Sequence, residues 1–226
     1  MNYDWNFGRL VPYADAFFQG TVTTLSLTVF VILFGTTGGV LLGFALRVRS
    51  IAAVAYPIID VVRAIPPLVL LLFTYYLLTI DVIGFAVSGY WVYVIAMSIN
   101  LAAFTADLVR SAAETIGAKV VETGKALGMG DGQILRHIYV PHLFRSLIPA
   151  MTALYIGMLK MSSLASVINV AEVVYAAQTV IADISRSLEA WTVVAAIYVV
   201  IVVPLTYLLR YFEKLSRKGM RPAGVQ

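Results

Sequence analysis

The sequence predicts an all-α bundle with about five membrane-spanning helices, and three observations predict it. Hydrophobic residues fill 61% of the 226 positions and charged residues only 12%, which leaves too little polar surface to cover a water-soluble globule. Five apolar stretches are each long enough to cross a bilayer, which takes about 20 residues. Lys and Arg gather on one set of alternate loops, the asymmetry that orients membrane proteins. The length suits a single domain, residues 1–226, with no room for a sizeable second one.

The first stretch runs from about Gly20 to Leu46. Met1 to Leu10 contains Asp4 and Arg9 and lacks a basic start followed by a short apolar run, so no signal peptide is evident and this stretch is expected to remain as a span. Its Gly35, Gly38, Gly39 and Gly43 permit close helix approach in lipid, within the bundle or against a second copy. The second stretch, about Ile51 to Leu78, is broken by Pro57, Pro66 and Pro67. The third covers about Trp91 to Val109, the fourth about Leu147 to Val170 and the fifth about Trp191 to Leu209. Between the third and fourth, Arg110 to Ser146 is polar, charged and punctuated by glycine.

Twelve of the sixteen basic residues, from Arg47 and Arg49 through Arg110, Lys119, Lys125, Arg136 and Arg145 to Arg210, Lys214, Arg217, Lys218 and Arg221, fall on one side of this topology. Only Arg9 and Arg186 fall on the other, and Arg63 and Lys160 lie inside spans. The amino terminus is therefore expected outside, with the long polar loop and the carboxyl terminus in the cytoplasm. Tyr13, Phe17, Phe18, Tyr90, Trp91, Tyr93 and Trp191 read as outer interfacial anchors, and Tyr207, Tyr211 and Phe212 as inner ones.

Several functions are disfavoured. There is no cysteine, hence no disulfide and no thiol chemistry. His137 and His142 sit on poorly matched helix faces, so no metal site is expected. Ser162 and Ser163 have no neighbouring histidine, and no catalytic residues are assigned. Gly117 to Lys125 fails as a phosphate-binding loop, because six residues separate Gly117 from Gly124 and Ala126 follows the lysine. No cofactor is expected in this chain, and no nucleic-acid partner.

The polar loop carries the strongest motif. Ala126, Leu127 and Met129 form a short apolar surface flanked by Glu122 and Lys125; Gly128 and Gly130 permit a reversal with positive φ, and Asp131 can cap the helix that follows. A segment of about residues 119–141 is thus expected to form a helix–turn–helix knob projecting from the membrane. Glu122, Gly128, Ile138 and Pro141 fall at the spacing of the Glu-Ala-Ala signature of bacterial ABC importer permeases, while Thr123, Gly124 and Val140 depart from it. Arg63-Ala64-Ile65-Pro66-Pro67-Leu68, Ala103-Phe104-Thr105-Ala106-Asp107 with Arg110, and Lys160-Met161-Ser162-Ser163-Leu164 resemble runs of the polar amino-acid branch, in the same order. The chain therefore resembles a permease of that branch, related to those for histidine, arginine, glutamine and opines.

That resemblance implies a type I importer architecture in a bacterial inner membrane and an amino acid or derivative as substrate. It also implies partners: a separate ATPase subunit that binds ATP and Mg, a second permease that is identical or paralogous, and an extracytoplasmic substrate-binding protein. Glu122, Lys125, Ala126, Leu127, Gly128 and Met129 are the expected coupling residues. Arg63, Asp107, Lys160, Ser162, Ser163 and Glu172 are the candidates for the substrate path, because charges at mid-bilayer are costly and usually functional. Arg63 is expected near mid-depth with Asp60 as a partner. Arg63 or Lys160 can hold a carboxylate with help from the serines; equally, Lys160 can pair with Asp107 or another acid. Glu172 reads more readily as a bland interfacial acid. Met161 stands where the family has an acidic residue. An ion-gradient-driven secondary transporter is the alternative, and the absence of a visible internal repeat speaks against it.

Overall fold

The computed structural model describes residues 3–78, 82, 84, 86–116 and 118–218; Gly117 and Arg221, and the side chains of Arg145, Arg217 and Lys218, lie outside them. A 3-10 turn, Phe7–Tyr13, leads into α1, Ala14–Ala45. Then come α2, Arg49–Ala64, α3, Pro67–Leu77, and α4, Gly89–Glu114. The polar segment forms α5, Ala118–Ala126, and α6, Asp131–Ile134. A π-type turn, Leu135–Tyr139, joins α6 to α7, Val140–Met161. A second 3-10 turn, Ser162–Ile168, precedes α8, Val173–Ile184, and α9, Ser187–Lys218, ends the described chain. No strand occurs among the described residues.

Four of these segments are long and apolar enough to cross a membrane: Phe7–Ala45, Gly89–Glu114, Ser146–Ile168 and Ser187–Leu215. The second expected span is two helices, α2 and α3, bent by 110°. Consecutive prolines explain the break. Pro66 cannot donate a helix hydrogen bond and drives Ile65 into extended backbone (φ −75, ψ 126), while Pro67 is preorganised to start α3. Counted as one broken span, the pair makes five.

The bundle is organised by the seam between α1 and α4. Gly35, Gly39 and Gly43 recur every four residues, so they line one face of α1. A Cβ at each would stand 2.7 Å from Leu101, 2.4 Å from Thr105 and 2.6 Å from Val109, respectively. The expected small-residue stripe is thus used inside the bundle, and Gly38, beside it, meets only Ala102 at 3.8 Å. Leu27, Val31, Met97 and Leu101 form the buried core around this seam together with Leu71 of α3 and Met158 of α7.

Two expected anchors turn out to be core residues: Phe17 is 5% exposed and Tyr93 only 1%. Tyr93 lies one helical turn before Met97 on the inward face of α4, which outweighs the preference of its ring for the headgroup layer. Phe18, Trp91, Trp191, Tyr207, Tyr211 and Phe212 are exposed, as anchors must be.

The two ends of the bundle differ. At one end the amino-terminal arm is tied to the start of α9: Tyr3 donates to the Glu189 carboxylate, Asn6 N–H donates to Glu189 Oε1 at 3.0 Å, and Arg186 donates to the Asp4 carbonyl at 2.7 Å. The bond to Glu189 raises the Tyr3 phenol above its usual pKa. The other end holds Arg47, Arg110 and the α5–α6 segment.

Candidate functional site

The α5–α6 segment is a compact knob with an exposed tip. At the end of α5, Gly128 N–H donates to the Lys125 carbonyl (2.9 Å) and Met129 N–H to the Gly124 carbonyl (3.0 Å). This is the Schellman pattern, which needs a left-handed residue between the two donors' turns; Gly128 provides it at φ +80. Gly130 does not share that conformation, since its φ is −72. The cap of α6 also differs from expectation. Gly130 holds the N-cap position and its N–H donates to Gln133 Oε1 at 3.0 Å, leaving Asp131 as the first helical residue, 3.9 Å from Lys125 Nζ. Gln133 can return to the cap because it lies three residues on, the spacing of a capping box.

Glu122, Lys125, Ala126, Leu127 and Gly128 are exposed, Leu127 to 77%, and Met129 is half-buried. Ile138 packs over Gly124, where an added Cβ would lie 3.2 Å from its Cδ1. Pro141 stands in the first turn of α7, directly after the Leu135–Tyr139 turn, and donates no backbone hydrogen bond there. The tip thus exposes an apolar Leu127 on the same short segment as the charged Glu122 and Lys125. Its histidines are occupied separately: His137 Nδ1 lies 2.9 Å from the Gln133 carbonyl, and His142 Nε2 lies 2.8 Å from Thr115 Oγ1. No cluster of potential metal ligands occurs among the described residues.

The structure divides the six path candidates among three places. Arg63 and Asp107 meet directly, Nη1 to Oδ2 at 2.9 Å, with the guanidinium 5.2 Å from the Phe104 ring centre. Arg110 Nη2 donates to the other Asp107 oxygen at 3.2 Å and its Nη1 reaches Glu114 at 2.8 Å. Asp60, the partner expected from sequence, is at 4.0 Å and contributes less. Arg63 thus meets α4 seven residues from its end, about 10 Å at 1.5 Å per residue.

Lys160, Ser162 and Ser163 form the second group, at the end of α7. Lys160 is exposed and lines a shallow recess with Ser163 and Tyr198. Among the described residues Lys160 has no ion pair with Asp107 or any other acid, since Asp107 is already engaged by two guanidiniums. Ser162 is buried, bonded to the Leu159 carbonyl at 2.7 Å and 3.3 Å from the Tyr198 hydroxyl. Ser163 donates to the Lys160 carbonyl at 3.0 Å.

Glu172 is the third, and it is fully buried in the protein (0% exposed). It caps α8: Tyr175 N–H donates to Oε1 at 2.9 Å, and Thr24 Oγ1 donates to Oε2 at 3.4 Å. Gly20 makes room for it, because a Cβ there would come within 2.9 Å of the Glu172 carbonyl. Sequence reasoning missed this joint: glutamate is not a preferred N-cap residue, so nothing flags it.

A recess of about 450 Å³ between α1, α4, α7 and α9 was also not foreseen. Val40, Leu143, Ile148 and Met151 line it, with Thr36 and Tyr155 hydrogen-bonded at 3.0 Å on its wall. It contains no Asp, Glu, Lys or Arg, so it offers a charged solute no complementary group.

Comparisons with known proteins agree with this geometry. Residues 35–222 match the family described as binding-protein-dependent transport system inner membrane component. The chain is 31% identical to the glutamine transport system permease protein of Escherichia coli over 216 residues, covering 95% of this chain and 98% of that protein. It is 26% identical to the arginine transport system permease protein of Bacillus subtilis, covering 95% and 97%. Among solved structures, that of an amino acid ABC transporter with histidines superposes with a TM-score of 0.85 at 28% identity, covering 94% of this chain and 100% of that one.

Proposed function

The chain belongs to the family of binding-protein-dependent transport system inner membrane components, and on that premise we propose that it is the permease subunit of an ATP-driven importer for an amino acid or amino-acid derivative. It is a multi-pass inner-membrane protein that forms the translocation path and takes its energy from a separate ATPase. Family membership sets aside the ion-gradient alternative. The observation that carries the reading is the exposed knob, with Glu122 and Leu127 at its surface and Gly128 shaping its turn.

The knob faces the cytoplasm, with the amino-terminal arm outside, as the gathering of basic residues around it favours. It seats in a cleft of the ATPase, which binds ATP and Mg; this chain supplies no nucleotide site of its own. A second permease, identical or paralogous, completes the path, and an extracytoplasmic binding protein delivers substrate to the outer end. Near the path, the Arg63–Asp107–Arg110 cluster and the Lys160–Ser163 recess are the groups able to recognise a zwitterion, whereas buried Glu172 acts by holding α8 against α1.

The test is reconstitution of the permease with its co-purified ATPase and binding protein in proteoliposomes. ATP-dependent accumulation of an amino acid is expected. Uptake that follows an imposed ion gradient and ignores ATP would overturn the reading.

A further inference from the structure

The knob is joined to the spans on one side by a continuous helix: α6 passes through the Leu135–Tyr139 turn into α7. That turn is unusual. Val140 N–H reaches back five residues to the Leu135 carbonyl, a wide turn of the kind that recurs at functional positions and lets a helix reorient its side chains. Its last residue, Tyr139, points its ring at α1. Arg47, just past the end of α1, places its guanidinium 4.4 Å from the centre of that ring.

Neither residue has a better partner. No carboxylate lies within ion-pair distance of Arg47 among the described residues. The Tyr139 hydroxyl makes no hydrogen bond within the same set, so the ring is the working part of the side chain. The pair forms a wall common to two recesses. One, of about 340 Å³, lies on the knob side with Lys125 and Asp131; the other, of about 370 Å³, lies on the span side with Tyr56 and Arg110. In the second, the Arg110 guanidinium sits 5.1 Å from the Tyr56 ring of α2, and through Asp107 it connects to Arg63 at the proline break.

We propose that Arg47 and Tyr139 are positioning residues for coupling: their stacked contact ties the knob to the end of α1, so that a displacement of the knob moves α1 together with α7 instead of flexing the wide turn alone. Without the contact, the π-type turn absorbs part of the displacement. The inference rests on the reading of this chain as a permease driven by a separate ATPase, and it adds which side chains carry the motion into the bundle. A cation over an aromatic ring at an exposed site is a weak tie, so its loss is expected to alter coupling by about two- to fivefold without abolishing it.

The experiment measures substrate imported per ATP hydrolysed by the complete transporter in proteoliposomes, alongside its melting temperature. Tyr139→Leu and Arg47→Gln are expected to lower that ratio about two- to fivefold with ATP hydrolysis and melting temperature retained. Tyr139→Phe, which keeps the ring, is expected to preserve it, and the double variant to be no worse than either single one. If Tyr139→Leu fails to assemble, the exposed Arg47→Gln decides. An unchanged ratio in Arg47→Gln overturns the proposal, and so does a loss in Tyr139→Phe as large as in Tyr139→Leu. Absence of ATP-dependent uptake by the unaltered protein would instead remove the permease reading itself.

Discussion

Along the α1–α4 seam and on the knob, glycine is used for opposite reasons. At Gly39 the backbone conformation is ordinary helix, and the limit is space: an added Cβ would lie 2.4 Å from Thr105 Cβ and 2.7 Å from the Ala102 carbonyl oxygen. At Gly128 there is nothing within 4 Å, and the limit is the backbone, held at φ +80. The first glycine lets two spans lock together over their length, as lipid-embedded helices must when no hydrophobic force separates helix from lipid. The second shapes an exposed turn in which a Cβ at Gly128 itself would meet no neighbouring atom. The contrast separates a packed framework from an exposed turn that is proposed to dock a partner, and substitutions should separate them too.

Gly39→Leu is expected to have the largest effect. Side-chain atoms cannot enter the seam without parting the helices, and the backbone carbonyl beneath cannot yield, so a loss of about 3 kcal/mol or more is expected. A drop in melting temperature of the detergent-solubilised protein checks it; an unchanged melting temperature would show that α1 and α4 are not locked there.

Asp107→Ala comes next. It leaves the Arg63 and Arg110 guanidiniums facing each other without the carboxylate that bridges them. All three side chains retain some exposure (32%, 35% and 22%), so the cost lies between that of surface and buried pairs, about 2 kcal/mol. Thermal denaturation of Asp107→Ala, Arg63→Gln and the double variant gives the interaction as a double-mutant cycle. A double variant as unstable as the sum of the singles would mean that the pair has no coupling energy.

Gly128→Ala is expected to cost only about 1 kcal/mol, the penalty of a left-handed residue with a Cβ. Its mark should be on coupling: less ATPase retained on co-purification with little change in melting temperature. Glu122→Gln should be smaller still in stability, within about 0.5 kcal/mol for an exposed side chain, while weakening association with the ATPase in low salt.

Much of this frame could be read before the structure, but not its depth or its partners. The spans follow from apolar run length, and the knob from the spacing of Glu122, Gly128, Ile138 and Pro141. Pro66 and Pro67 announce a break in the second span. They do not announce a bend of 110°, because that depends on the packing of α3 on the long helix α4. Only Asp60 was named as a partner of Arg63, since local spacing along a helix is visible in a sequence and a contact across helices is not. For the same reason Tyr93 passed for an anchor, and the burial of Glu172 against Thr24 of α1 went unseen. Arg47 and Tyr139, far apart in the chain, offered no sign of each other. Among the path candidates, residue type marked the groups worth examining, but only the packing of α7 against α9 could separate Lys160 from Asp107.

The claim on which the rest depends is that the exposed knob docks a separate ATPase on the inner side. The chain has no cysteine, so a single Leu127→Cys gives a clean reporter. A membrane-impermeant thiol reagent is expected to modify it in inside-out vesicles stripped of ATPase, to leave it unmodified in intact cells, and to be blocked when the cognate ATPase is restored. Modification from outside the cell, or modification that the ATPase does not slow, would contradict the account.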